Sequence, residues 1–220
     1  VEKNPKHRWT RDEQIARTVE VGTKLGEPGD LFQYCDINFI LLAEIIEQIT
    51  QKPFFTAMRE LLNYKEHGIN ETWFLTLEEK PASVKESMVQ YYSKYKVNTS
   101  MVDPSFDLYG AGGIWATAKG LALFNYALLD ERIIKNSDVM ELIYSPAKTK
   151  DNKNHHYFLG LQEYDLNGTQ AFGHGGFWGS IVYYVPDLDV CISIFVLEKN
   201  HGILRKITCF FQKINCKGSQ

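Results

Sequence analysis

Long apolar runs are missing from this sequence. The longest, such as residues 39–43 and 191–197, fall far short of the roughly 20 residues that cross a bilayer, so no transmembrane helix is expected. Cysteine is scarce. Cys35, Cys191, Cys209 and Cys216 are too few for a disulfide scaffold in 220 residues, and none forms a C-x-x-C pair, so neither a structural zinc site nor any other metal site is expected. The spacing at the C-terminal end leaves room for a Cys209–Cys216 bridge. Basic residues are not in excess: 24 Lys and Arg face 27 Asp and Glu, for a net charge of −3. Apart from a small cluster (Arg205, Lys206, Lys213, Lys217) the cations are scattered, and without a basic stripe to track phosphates nucleic acid is not expected as a partner. No residue type dominates and no internal repeat is visible. With 44% hydrophobic and 13% aromatic residues the chain reads as a single globular domain over 1–220, not as a disordered or fibrous one. Val1 is not followed by a charged-then-apolar signal segment, which fits a processed or truncated chain.

What is present changes character along the chain. A short helix is predicted around residues 11–21. Pro28-Gly29-Asp30 signals a turn, and residues 31–34 read as an extended approach. Ile37, Ile40, Leu41, Ile45, Ile46 and Ile49 then recur at helical spacing, with Asp36 placed to cap the helix. This helix should end near Thr50-Gln51-Lys52-Pro53, and a second should run over residues 54–62. Residues 63–105 are polar, Tyr-rich and weakly periodic, which predicts an irregular insert with a short helix near 83–92. After the small-residue turn Gly110-Ala111-Gly112-Gly113, helices are predicted over about 117–129 and from an Asn136 cap through 143. The last third has a strand rhythm over 157–164, 170–174, 180–185 and 190–197, with a final helix at about 202–214. The fold class is therefore α+β, an antiparallel sheet flanked by helices.

Two segments are candidates for chemistry. Tyr34, at a turn just before a helix, can hold its hydroxyl in a cleft, although an anchoring ring with a solvated hydroxyl has the same signature. In Phe172-Gly173-His174-Gly175-Gly176-Phe177-Trp178-Gly179-Ser180, His174 lies between glycines that would let a ligand approach the backbone. A plain hairpin with a solvated His fits the same residues. The His-Gly-Gly string is not the oxyanion loop of an α/β-hydrolase, because the chain contains no G-x-S-x-G. His155 and His156 are adjacent and lack the spacing of a helical metal pair.

In order along the chain, these segments resemble the serine β-lactamase and penicillin-binding-protein family, most closely its class C, DD-peptidase and esterase-like branch. Tyr34-Cys35-Asp36 and the Ile/Leu-rich run after it resemble the family's second motif. The run Asp107-Leu108-Tyr109-Gly110-Ala111-Gly112-Gly113 resembles its Gly-rich entry to a later helix, and Gly173-His174-Gly175-Gly176 its third motif. The resemblance covers about residues 25–200 and implies that fold. It implies acyl transfer to water from a small acyl substrate (an ester, a D-amino-acid peptide or a β-lactam) through an acyl-serine, with no metal or organic cofactor, outside the cytoplasm. Tyr34 would be the acid/base. Because a free Tyr titrates near pH 10, a neighbouring cation would have to lower its pKa. Asp36, Gly175, Gly176 and Phe177 would line the substrate's place, with the Phe177 N–H as an oxyanion donor and His174 near the substrate's oxygen or carboxylate.

One departure is large. The family's first motif, S-x-x-K, supplies the nucleophile and the cation, and it precedes the Tyr. Residues 1–33 contain no Ser. Ser93-Lys94-Tyr95-Lys96 and Ser145-Pro146-Ala147-Lys148 match the letters but follow Tyr34 and open no apolar helix. The chain is thus expected to be the C-terminal part of such an enzyme, with Ser and Lys on a missing N-terminal segment, an unpaired sheet edge and uncovered apolar surface. The alternative is a non-catalytic binding protein on the same fold.

Overall fold

Thr10 and Glu13 start the first helix by a reciprocal cap: the Thr10 side chain accepts from the Glu13 N–H, and the Glu13 carboxylate accepts from the Thr10 N–H at 2.7 Å. The helix that follows, α1 (Arg11–Val21), has no buried residue and is held by polar ties instead. The Trp9 N–H donates to the hydroxyl of fully buried Ser105 at 2.7 Å, and Arg11 pairs with Glu47 at 2.5 Å. Glu47 belongs to α2 (Ile37–Thr50) and also accepts from the Phe54 N–H, which fixes the start of α3 (Phe54–Leu61). In this computed structural model the described residues are 4–146, 149–150, 156–166 and 168–200; the helix expected at 202–214 and the Cys209–Cys216 pair lie outside them.

Helix α2 departs from the sequence expectation in two ways. Asp36 stands at its N-cap but makes no capping bond, because its carboxylate is engaged by the Tyr34 hydroxyl. The apolar periodicity also does not translate into burial. Only Ile40 and Ala43 are buried, while Leu41, Leu42, Ile45 and Ile49 are exposed, Ile49 to 77%.

Within 63–105 no helix forms at 83–92. Strand β1 (Thr72–Phe74) is buried throughout and pairs antiparallel with β4 (Ile114–Ala116), placing Trp73 opposite Trp115. Strands β2 (Tyr91–Tyr92) and β3 (Val97–Asn98) form a hairpin, and β2 pairs parallel with β9 (Glu198–Lys199). The tyrosines favour a pleated surface, and a stretch without helical periodicity gives a helix no face to bury.

The main sheet runs β5 (Gln162–Asp165), β6 (Gln170–Gly175), β7 (Ser180–Val185), β8 (Val190–Phe195), all antiparallel. Its two faces follow the period of 2. Ala171, Ile181, Tyr183 and Val185 lie on one side with Leu166. Phe172 and Tyr184 lie on the other, against Leu129 and Leu161, where α4 (Ala118–Leu129) covers β7 and β8 and α5 (Ser137–Ile143) adds Ile143. Thr117 and Asn136 cap α4 and α5 through their side chains. Helices flanking an antiparallel sheet is the α+β class expected. The strand expected from 157 starts only at Gln162, because residues 158–161 turn at Gly160 (φ 79°). That turn leaves Tyr157 on a single bridge to Gln162.

Two glycines decide how these parts fit. A Cβ on Gly173 would lie 1.8 Å from the Val182 carbonyl oxygen, so this glycine allows β6 and β7 to close rather than a ligand to approach. A Cβ on Gly110 would lie 2.5 Å from the Phe39 carbonyl oxygen and 2.9 Å from the Ala43 Cβ, at a φ of +111°. Replacing Gly110 by Ala should therefore destabilise the protein by at least about 1–3 kcal/mol. Urea unfolding measures this, and an unchanged midpoint would refute the close approach.

Candidate active site

Tyr34 reaches its position along an extended segment anchored at its base. Gly29 turns with φ +85°, its carbonyl accepts from the Lys150 N–H at 3.0 Å, and Lys150 Nζ pairs with Asp30 at 2.5 Å. The segment delivers the Tyr34 ring, 40% exposed, against a half-buried imidazole 140 residues away in sequence. The ring centroids of Tyr34 and His174 are 5.7 Å apart. The two motif residues thus share one cleft.

Tyr157 completes the group and was not foreseen from the sequence. Its ring lies 5.5 Å from Tyr34, 5.7 Å from His174 and 5.3 Å from Phe32, and its hydroxyl is 3.2 Å from His174 Nε2. His174 Nδ1 is 2.8 Å from the Gly175 carbonyl, which only accepts, so Nδ1 carries a proton. In the neutral ring Nε2 is then the acceptor for the Tyr157 O–H. Burial and the Asp36 charge push the Tyr157 phenol up to about 12, which keeps it a proton donor at neutral pH.

The cleft is anionic. Burial raises the Tyr34 pKa above its ordinary value, and the hydrogen bond to Asp36 and the charges of Asp36 and Asp107 raise it further. This reverses the expected lowering, since the influences acting on Tyr34 among the described residues include no cation. Asp107 lies in the 107–113 loop, where Gly112 leaves it room: a Cβ there would fall 2.6 Å from the Asp107 carboxylate. Burial, reinforced by Asp36, pushes Asp107 up to about 7 against the donated Gly113 N–H.

The remaining residues lie at the end of β6 and in the turn after it. A Cβ on Gly175 would make an ordinary contact, 3.9 Å from the Ser180 carbonyl oxygen, while one on Gly176 would meet the Ser180 hydroxyl at 2.1 Å. The Phe177 ring packs against Tyr92, Tyr95, Phe106 and Trp178. The two S-x-x-K serines lie elsewhere. Ser93 donates to Glu198 at 2.8 Å just after β2, and Ser145 donates to the Glu141 carbonyl at the end of α5. His156 pairs with Glu163 at 2.9 Å. Among the described residues no cluster of His, Cys, Asp and Glu could hold a metal, and no helix is long and apolar enough to cross a membrane.

A family model for β-lactamases matches residues 2–201. The chain belongs to the β-lactamase family. Solved structures show the same fold. The D-amino acid amidase of Ochrobactrum anthropi SV3 complexed with D-phenylalanine superposes with a TM-score of 0.74 at 19% identity, over 97% of this chain and 70% of that one. A D-stereospecific amidohydrolase from Streptomyces sp. gives 0.73 at 22% identity, over 89% and 58%, and the class C β-lactamase of Rhodobacter sphaeroides 0.60 at 14%, over 96% and 67%. The chain therefore spans between 58% and 70% of the length of these structures. No curated protein matches it.

The sequence resemblance singled out Tyr34, Asp36 and His174 as candidates because they sit in ordered motifs. Nothing marked Tyr157, and Asp107 was legible only as the first residue of a Gly-rich run. Asp107 has a thermodynamic signature. Its folded pKa is raised, so between about pH 4 and 7 the unfolded chain releases a proton that the native chain keeps, and stability falls as pH rises through that window. The Asp107→Asn variant should lose this slope and gain on the order of 2–4 kcal/mol relative to wild type between pH 4 and pH 8. Urea unfolding at both pH values checks this, and parallel profiles would contradict a buried, neutral Asp107.

Proposed function

We propose that this β-lactamase-family chain carries the Tyr and His motifs of a serine hydrolase that transfers an acyl group to water. The observation that carries the reading is the meeting of Tyr34 and His174, from opposite halves of the chain, at 5.7 Å in one cleft with Tyr157. Tyr34 would pass a proton between nucleophile and leaving group, and the Phe177 N–H would face the developing oxyanion. The substrate would be an ester, a D-amino-acid amide or peptide, or a β-lactam. D-amino-acid derivatives are the first to test, since amidohydrolases named for them share the fold. On the family likeness, the reaction would take place outside the cytoplasm.

The reading requires a Ser and a Lys supplied from outside residues 1–220. The electrostatics of the cleft support this need. A phenol surrounded by carboxylates is a poor base, and an ammonium within about 4–6 Å would lower its pKa by about 1–3 units. The same anionic surroundings favour the second reading, a non-catalytic binding protein, if no such cation is supplied.

Expressed from its complete gene, the protein should form one covalent acyl adduct with an activated ester or a penicillin, read by intact mass and peptide mapping. The 220-residue chain alone should form none on Ser93 or Ser145. An adduct on either serine would overturn the assignment of the nucleophile, and none from the complete gene product would decide for the binding protein. In the active protein Tyr34→Phe should lower turnover at least about a hundredfold. Turnover at the wild-type level would remove Tyr34 from the mechanism.

A further inference from the structure

A second hollow opens toward the other end of α2. Glu47 follows Asp36 by eleven residues, about 16 Å along the helix, so this hollow is not the cleft of Tyr34 and His174. It has a volume of about 280 Å³, and α1, α2, the start of α3, β1 with the turn after it, and the 107–113 loop all contribute to its wall. Most of the lining is apolar: Phe54, Phe55, Phe74 and Leu77, with the Phe54 and Phe55 ring centres 5.9 and 6.3 Å from that of Phe74. The polar side consists of Arg11, Glu47 and Tyr109. Ligand pockets commonly hold about 300–1,000 Å³, so this one suits a single ring with a short arm.

Arg11 is held firmly and left short of acceptors. Its Nη1 donates to Glu47 at 2.5 Å, and its guanidinium carbon stands 5.5 Å from the Tyr109 ring centre. Tyr109 takes a φ of +66°, which a bulky residue rarely adopts, and its hydroxyl donates to the Trp9 carbonyl at 3.4 Å. Arg11 Nε is buried and finds no acceptor, the one buried side-chain nitrogen or oxygen among the described residues of which this is true. Nη2 makes no hydrogen bond either, but it is not sealed in as Nε is. With one group bonded and another desolvated, the guanidinium keeps at Nη2 a strong donor with nothing to accept from it.

Glu47 offers the opposite. Its Oε2 accepts from Arg11 and its Oε1 from the Phe54 N–H at 2.7 Å, while a carboxylate has lone pairs for about four donors. The bond from Arg11 and that from Phe54 hold its pKa below the ordinary carboxylate value, so it stays an acceptor at neutral pH. The charges of Glu47 and Glu44 both act on Arg11, which leaves the polar side without net positive charge for an anion.

We propose that this hollow is a binding site for a small, uncharged aromatic carboxamide. The ring would lie among Phe54, Phe55, Phe74 and Leu77, the carbonyl oxygen would accept from Arg11 Nη2, and the amide N–H would donate to Glu47. A carboxamide carries an acceptor and a donor side by side, which matches the donor and acceptor of the ion pair. A carboxylate meets the charge of Glu47, and an ammonium leaves Nη2 without an acceptor. The site is independent of the hydrolase reading.

The test is a titration of the ¹⁵N-labelled 220-residue chain with benzamide, followed by its backbone amide resonances. Those of Phe55, Leu77 and Tyr109 should shift together and saturate at millimolar concentration. Benzoate and benzylamine, which keep the ring and change the arm, should bind at least about fivefold more weakly. Arg11→Lys, which keeps the charge beside Glu47 and loses the planar group, should weaken benzamide at least about fivefold. Leu77→Trp, which fills the apolar part, should abolish the shifts. No saturating shift at these amides in wild type, benzoate or benzylamine binding as tightly as benzamide, or unchanged affinity in Arg11→Lys would overturn the proposal. Shifts confined to the amides around Tyr34 and His174 would do the same. If Arg11→Lys fails to fold, Leu77→Trp decides: lost binding supports the site, and benzamide binding at wild-type strength refutes it.

Discussion

The Phe39 carbonyl oxygen lies 2.5 Å from the point where a side chain at residue 110 would begin, so the 107–113 loop can lie on the first turn of α2 only with glycine there. Much of the cleft depends on this contact. Helix α2 carries Asp36 at its start and Tyr34 just ahead of it, and the loop carries Asp107 beneath them. Pressed together, these elements place two carboxyls and a phenol within mutual electrostatic reach. Farther apart, Asp107 would be hydrated and charged like an ordinary carboxylate.

The opposite wall of the cleft is built on another principle. The antiparallel register of β6 and β7 sets His174 across from Val182, and Gly173 lets the two backbones close. The turn at Gly160 then returns Tyr157 to His174, where two hydrogen bonds leave the imidazole a single neutral tautomer. One wall is therefore anionic and set in place by packing, while the other is an aromatic and imidazole surface held by hydrogen bonds. The exposed apolar face of α2 lies on the element that carries the acidic wall.

Legibility from sequence differed by element for physical reasons. Helix α4 could be read from apolar residues recurring on one face and α5 from its Asn136 cap, signals that act within a turn or two of the chain. The hairpin at 91–98 could not, because strands of two residues carry no alternation to read and β2 takes its second partner from β9, more than a hundred residues on. Asp36 has the right residue type for a cap, yet a phenol two residues away took its carboxylate. The periodicity of α2 foretold the helix but not the burial, since burial depends on a neighbour that periodicity does not specify.

By itself, then, the sequence determined the class of the fold and the family, and it singled out Tyr34 and His174 as candidates, because these depend on local pattern and on the order of short motifs along the chain. Only the tertiary structure decided that Tyr157 meets His174, that Asp107 is buried beside Asp36, that the surroundings of Tyr34 are anionic, and that Lys199 grips the turn carrying Phe177. Most of these are contacts between residues that are not neighbours in sequence. Their strength depends on distance and desolvation, quantities that exist only once the chain has closed on itself.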